Sequence, residues 1–108
     1  MARIRLRTTE LLTEAALYEQ FRRLIGIPGG RGASLASWIE AMTALRDEDG
    51  PLAVTLAADE VLEIEVPDAQ DFRIRAPELF HSLLDAMVHV NRAYRRSGQP
   101  AAVALVLE

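Results

Sequence analysis

Helical stretches separate the strand-like segments of this chain, and that order constrains its fold more than any other feature. An alternating segment at 2–7 is followed by two helical stretches before the next apolar segment. A long helical stretch from Pro77 to Ser97 then precedes a closing apolar strand at 103–107. Long helical connections join strands that run parallel. The sequence therefore predicts an α/β fold, a small and mostly parallel sheet with helices packed against it.

The predicted helices have recognisable ends and amphipathic stripes. In the helix predicted at 14–25, Thr13 is the N-cap and Gly26 follows the last turn. A second helix is predicted at about 35–45, with Ser34 as its cap. The stripes expected to face the core are Leu17, Phe21 and Leu24 in the first helix, Leu35, Trp38, Met42 and Leu45 in the second, and Phe80, Leu83, Met87, Val90 and Tyr94 in the last.

Two further segments have strand patterns. Residues 61–66 alternate, with Glu63 and Glu65 on one face, and residues 72–75 alternate after a short polar turn. We expect these two segments to form an extra β-hairpin, with the glutamates opposite Arg73 and Arg75. The apolar run at 52–57 is typical of a strand covered on both faces.

Composition restricts the function classes. The 108 residues suit one domain, 1–108, and carry a net charge of −4 with scattered arginines, which argues against nucleic-acid binding. No apolar run reaches the roughly 18 residues that a membrane span needs. No continuous apolar stretch near Met1 suggests a signal peptide, and there is no cysteine. We expect a soluble cytoplasmic protein without a membrane segment or bound nucleic acid.

One group of residues has the chemistry of a reactive site. His81, Asp85 and His89 follow one another at i, i+4 and i+8, and such side chains ligate metals or share protons. The same side continues to Arg92 and Arg96, as the solvated face of an amphipathic helix does. We therefore predict no catalytic residue, no metal and no cofactor, and keep a metal-dependent enzyme only as the weakest alternative.

The segment at 26–42 resembles the barstar family. Gly-Ile-Pro, a glycine-rich loop and Gly32-Ala-Ser-Leu-Ala-Ser-Trp-Ile-Glu-Ala-Met42 are similar to that family's loop and second helix. The closing helix from Leu83 to Arg96 and the apolar strand after it are similar as well. Barstar-like proteins inhibit secreted ribonucleases from inside the producing cell. Their helix 1–helix 2 loop and outer face of helix 2 cover the nuclease active site, where acidic side chains mimic RNA phosphates.

The resemblance implies a partner-binding surface on this loop and helix. It comprises Gly30, Arg31, Ser34, Ala36, Ser37, Ile39 and Glu40. The family's helix 2 usually has two acids one turn apart, whereas here Ala36 stands in place of one and Glu40 remains. Trp38 is expected in the core, and Ile39 is the better candidate for an exposed apolar contact.

The predicted partner is therefore a protein, a basic nuclease whose active site the chain blocks. The alternative is a barstar-fold interaction module with a different partner, or one that associates with itself through the edge strand of the hairpin.

Overall fold

Three parallel strands, in the order β1-β2-β3, form the sheet in the described part of the chain. The computed structural model describes residues 2–27, 35–50 and 52–108. The strands are β1 (Ala2–Arg5), β2 (Leu62–Val66) and β3 (Val103–Leu107). The helices are α1 (Glu14–Ile25), α2 (Leu35–Met42), α3 (Ala69–Arg75) and α4 (Pro77–Arg96), with a 3-10 turn at Thr8–Glu10. The predicted α/β class and parallel sheet are confirmed.

The register of the sheet separates an apolar face from a charged one. Ile4 lies beside Ile64, and both are buried in the core that the helices cover. On the opposite face Arg3 lies beside Glu63 and Arg5 beside Glu65. The Arg3 and Glu63 side chains are 2.7 Å apart. Exposed pairs of this kind contribute only about 0.2–1 kcal/mol each, so burial on the apolar face is the larger stabilising effect.

The ends of α1 and the core face of α4 are those that local signals predict. The Thr13 hydroxyl accepts a hydrogen bond from the Ala16 N–H, and Gly26 has a left-handed φ of 73° after α1. In α4 all five predicted stripe residues are buried. In α1 the prediction is wrong for Leu24, which is 39% exposed, while Ile25 is buried. The buried face of α1 therefore runs through Leu17, Phe21 and Ile25, at steps of four residues.

The expected hairpin is absent, because residues 69–75 form helix α3. In a strand Phe72 and Ile74 would share a face, but Phe72 is fully buried and Ile74 is 70% exposed. Helical spacing instead groups Ala69, Phe72 and Ala76 toward the core. Phe72 packs edge-to-face on Phe80 of α4 at 5.7 Å between ring centroids. A four-residue alternation is too short to exclude a helix, and packing on α4 decided the outcome.

The glutamates of β2 have arginine partners on a different element from the one predicted. Arg73 and Arg75 lie on α3, and Arg75 pairs with Asp71 at 2.8 Å within that helix. Glu63 and Glu65 pair with the arginines of β1, the strand beside β2.

The apolar run at 52–57 is also not a strand in the described residues. Leu52 and Leu56 are buried, yet the backbone joins no sheet. The Ala53 N–H donates to the Ile25 carbonyl, and the Leu56 N–H donates to the Leu45 carbonyl. The run is therefore a loop that covers the ends of α1 and α2.

The helical assignment of 69–75 gives a direct mutational test. Phe72→Ala should destabilise the protein by about 3–5 kcal/mol, because it empties a buried aromatic site. Ile74→Ala should change the free energy of unfolding by less than about 0.5 kcal/mol, because its side chain is exposed. Urea unfolding followed by circular dichroism measures both. Equal losses for the two variants would instead indicate a strand.

Candidate partner-binding surface

Helix α2 has one face in the core and the opposite face in solvent. Trp38 and Met42 are fully buried, whereas Ala36 and Glu40 are exposed. Residues two apart in a helix differ by about 200°, so these two pairs lie on opposite sides. Thr43, just past the last turn, is also exposed. Ala36, Glu40 and Thr43 thus form an outward stripe, called the α2 stripe below.

The predicted site residues divide into two groups. Ala36, Ser37, Ile39 and Glu40 all lie on α2. Ala36 and Glu40 face outward, while Ser37 and Ile39 are half-buried at the margins, and Ile39 packs partly against the core. Gly30, Arg31 and Ser34 lie outside the described residues. Four of the predicted side chains therefore belong to one helix, and Glu40 is the carboxylate among them.

Trp38 anchors α2 to α1. Its ring meets Phe21 edge-to-face, with 5.0 Å between centroids and 64° between planes. The indole N–H is buried and has no hydrogen-bond partner within the described residues. Edge-to-face packing on Phe21 therefore holds this side chain. The prediction that Trp38 belongs to the core is confirmed.

The Tyr94 hydroxyl fixes the end of α2. It donates to the Met42 carbonyl at 2.6 Å and accepts from the Leu45 N–H at 3.1 Å. These backbone groups lie where α2 ends. The helix stops at Met42, whereas the sequence predicts that it continues to about residue 45. Burial raises the pKa of the Tyr94 phenol above its usual value of 10. The neutral phenol donates to the carbonyl and accepts from the N–H. A side chain of α4 therefore fixes the position at which α2 ends.

Arg46 extends this connection to two loops. Its guanidinium lies 5.0 Å from the centre of the Tyr94 ring. It also donates to four backbone carbonyls, those of Ala57, Glu60, Pro100 and Ala101. Sequence reasoning missed both Arg46 and Tyr94 as supports of the surface. The sequence offers one signal for Tyr94, which is its place in the predicted core stripe of α4. A buried tyrosine hydroxyl usually finds a hydrogen-bond partner, so such a position indicates a buried polar contact.

The surface is acidic at the end of α2. Asp47, Glu48 and Asp49 are exposed in the turn that follows the helix. Together with Glu40 they give the segment 40–49 four exposed carboxylates, called the acidic edge below. A groove of about 260 Å³ borders this edge, lined by Thr43, Arg46, Asp47, Ala93, Tyr94, Ser97 and Gln99. Such an edge suits a partner with a positive potential and a side chain that enters the groove.

The two histidines of α4 are exposed. The His81 Nε2 and Asp85 Oδ2 atoms are 3.8 Å apart, and both side chains are largely in solvent. Within residues 2–27, 35–50 and 52–108 no group of three His, Asp or Glu side chains is placed to hold a metal ion. No helix in that part of the chain is long and apolar enough to cross a bilayer.

Comparison with known proteins gives one family. The family model described as Barstar (barnase inhibitor) matches residues 1–106. No curated protein matches the chain in a sequence search.

Removing the Tyr94 hydroxyl tests its support of α2. Tyr94→Phe should destabilise the protein by about 1–3 kcal/mol, because the Met42 carbonyl and the Leu45 N–H lose the hydroxyl and keep only the 3.4 Å bond between them. Tyr18→Phe is the matched control, since Tyr18 is buried but its hydroxyl makes no recorded hydrogen bond to any described residue. Denaturant unfolding compares the two. A loss no larger than that of the control would contradict this role.

The raised pKa of Tyr94 predicts a loss of stability at alkaline pH. The folded protein holds the phenol proton more tightly than the unfolded chain, so the stabilisation is complete below pH 10. It decreases as the pH rises from 10 through the folded-state pKa. Tyr94→Phe should show a smaller decrease over this range in denaturant unfolding, and an unchanged profile would contradict the assignment.

Proposed function

Because this chain belongs to the barstar family, a family of barnase inhibitors, we propose that it is a cytoplasmic protein that binds a ribonuclease and covers its active site. The proposed contact surface is the α2 stripe with the loop before it. The observation that carries this proposal is the outward position of Glu40 on a helix whose other face is held by buried Trp38 and Met42.

The proposed mechanism is steric and electrostatic. A nuclease cleft that binds RNA phosphates is positively charged, and a carboxylate there takes the place of a phosphate. Glu40 projects from a helix that is packed against α1 and α4, so little conformational entropy is lost on binding. The exposed acids Asp47, Glu48 and Asp49 add a negative potential that speeds association with a basic partner.

The loop residues Gly30, Arg31 and Ser34 are assigned to the same surface. In the sequence they come shortly before α2, the helix that carries Ala36. In this proposal the chain acts by occupying a cleft and performs no reaction itself.

A second candidate function assumes the same fold but a different kind of partner. Ala36 is exposed where the family usually has an acid, so α2 presents one carboxylate where the family usually presents two. The alternative function is an interaction module whose partner is a protein other than a nuclease.

Charge reversal at Glu40 tests the proposed surface. Glu40→Arg should weaken ribonuclease binding by about 2–5 kcal/mol, because a cation would face the cationic cleft. Glu10→Arg makes the same charge change beside Arg5 and Gln20, away from the α2 stripe, and should bind normally. Titration calorimetry and inhibition of RNA cleavage measure both, with barnase and the ribonucleases of the native secretome as partners.

The same experiment separates the candidates. Equal binding of a ribonuclease by the wild type and Glu40→Arg would show that a different surface makes the contact. No binding to any of these ribonucleases, combined with Glu40-dependent capture of another protein from the native lysate, would favour the interaction module.

A further inference from the structure

The outward face of α4 carries an apolar pair that the core does not use. Leu84 is 37% and Val88 49% exposed, although α4 already buries seven side chains on its inner face. Residues four apart are neighbours on a helix surface, so these two form one continuous patch. His81, Asp85 and Arg92 are exposed and flank the patch on one side.

Charge is segregated along the same face. Exposed Glu78 and Asp85 lie toward the start of α4, and exposed Arg92, Arg95 and Arg96 lie toward its end. The structure records no ion pair for these three arginines with any described residue, whereas the arginines of β1 are paired. The helix dipole favours acids in the first turn and bases in the last turn. It does not explain Asp85, Arg92 or the apolar patch beside them.

We propose that this face of α4 is where a second copy of the chain docks, with the two α4 helices antiparallel about a two-fold axis. The axis passes near the midpoint between Leu84 and Val88. Leu84 of each copy then meets Val88 of the other, and Glu78 lies opposite Arg95. Asp85 and Arg92 of the other copy are then about 7.5 Å apart along the helix axes. A face with acids at one end and bases at the other is complementary to itself only in this orientation.

This dimer differs from the self-association that an edge hairpin would allow, since 69–75 is helical. It also uses none of the residues of the α2 stripe, so it is independent of the proposed inhibition. Glu78 and Arg95 are about 26 Å apart along the helix, at 1.5 Å per residue. Each copy contributes fewer residues than the roughly 20–30 of a standard interface, so the dimer is weak and depends on concentration.

The oligomeric state tests the proposal. Sedimentation velocity over a micromolar to millimolar concentration series should show a monomer–dimer equilibrium. Val88→Glu should raise the dissociation constant about ten-fold or more, because it places a charge in the apolar centre. Leu24→Glu is the matched control, since Leu24 is 39% exposed on α1 beside Arg5 and Arg23 and should leave the equilibrium unchanged. A monomer at every concentration, or a dimer unaffected by Val88→Glu, would overturn the proposal.

Charge exchange tests the antiparallel orientation. Glu78→Arg and Arg95→Glu should each weaken the dimer about three- to ten-fold, since each places like charges opposite one another. The double variant Glu78→Arg/Arg95→Glu should return to within about two-fold of the wild type, because the pair is restored with its signs exchanged. Thermal unfolding of each variant checks that α4 remains folded. Failure of the double variant to recover would overturn the proposed orientation.

Discussion

The contact between α4 and the end of α2 determines how this molecule presents its candidate surface. Helix α2 has only eight residues, fewer than the roughly 12–15 that an isolated helix needs even for marginal stability. Its position therefore comes from its neighbours. Trp38 holds its inner face against α1, and the Tyr94 hydroxyl holds its last carbonyl. The outward direction of Glu40 follows from these two contacts.

Local signals were sufficient for the elements whose ends and faces are coded nearby. Thr13, Gly26 and the apolar stripe of α4 define two helices within a few residues of their own positions. They failed where the decisive partner is distant in sequence. The 72–75 alternation fits a strand locally, but Phe72 packs on Phe80, and Glu63 has its partner in Arg3, sixty residues away.

The candidate site was likewise predictable only where the information lies within one helix. The period of α2 predicts that Trp38 faces the core and that Glu40 faces outward, because spacing within one helix carries that information. The supporting contacts were not predictable. Arg46 binds backbone carbonyls of two loops, and any residue type supplies a carbonyl, so no side-chain pattern marks them. The acidic edge was not predictable either, because it depends on where the turn after Met42 lies in space.

Trp38 is the single tryptophan of the chain, and it lies on the inner side of the helix whose outer side is the candidate surface. Its fluorescence therefore reports on the seating of α2 without any label. An indole enclosed by apolar side chains emits at shorter wavelength than one in water, and docking on the outer side leaves that enclosure intact. The emission spectrum thus distinguishes a partner that rests on α2 from one that displaces the helix.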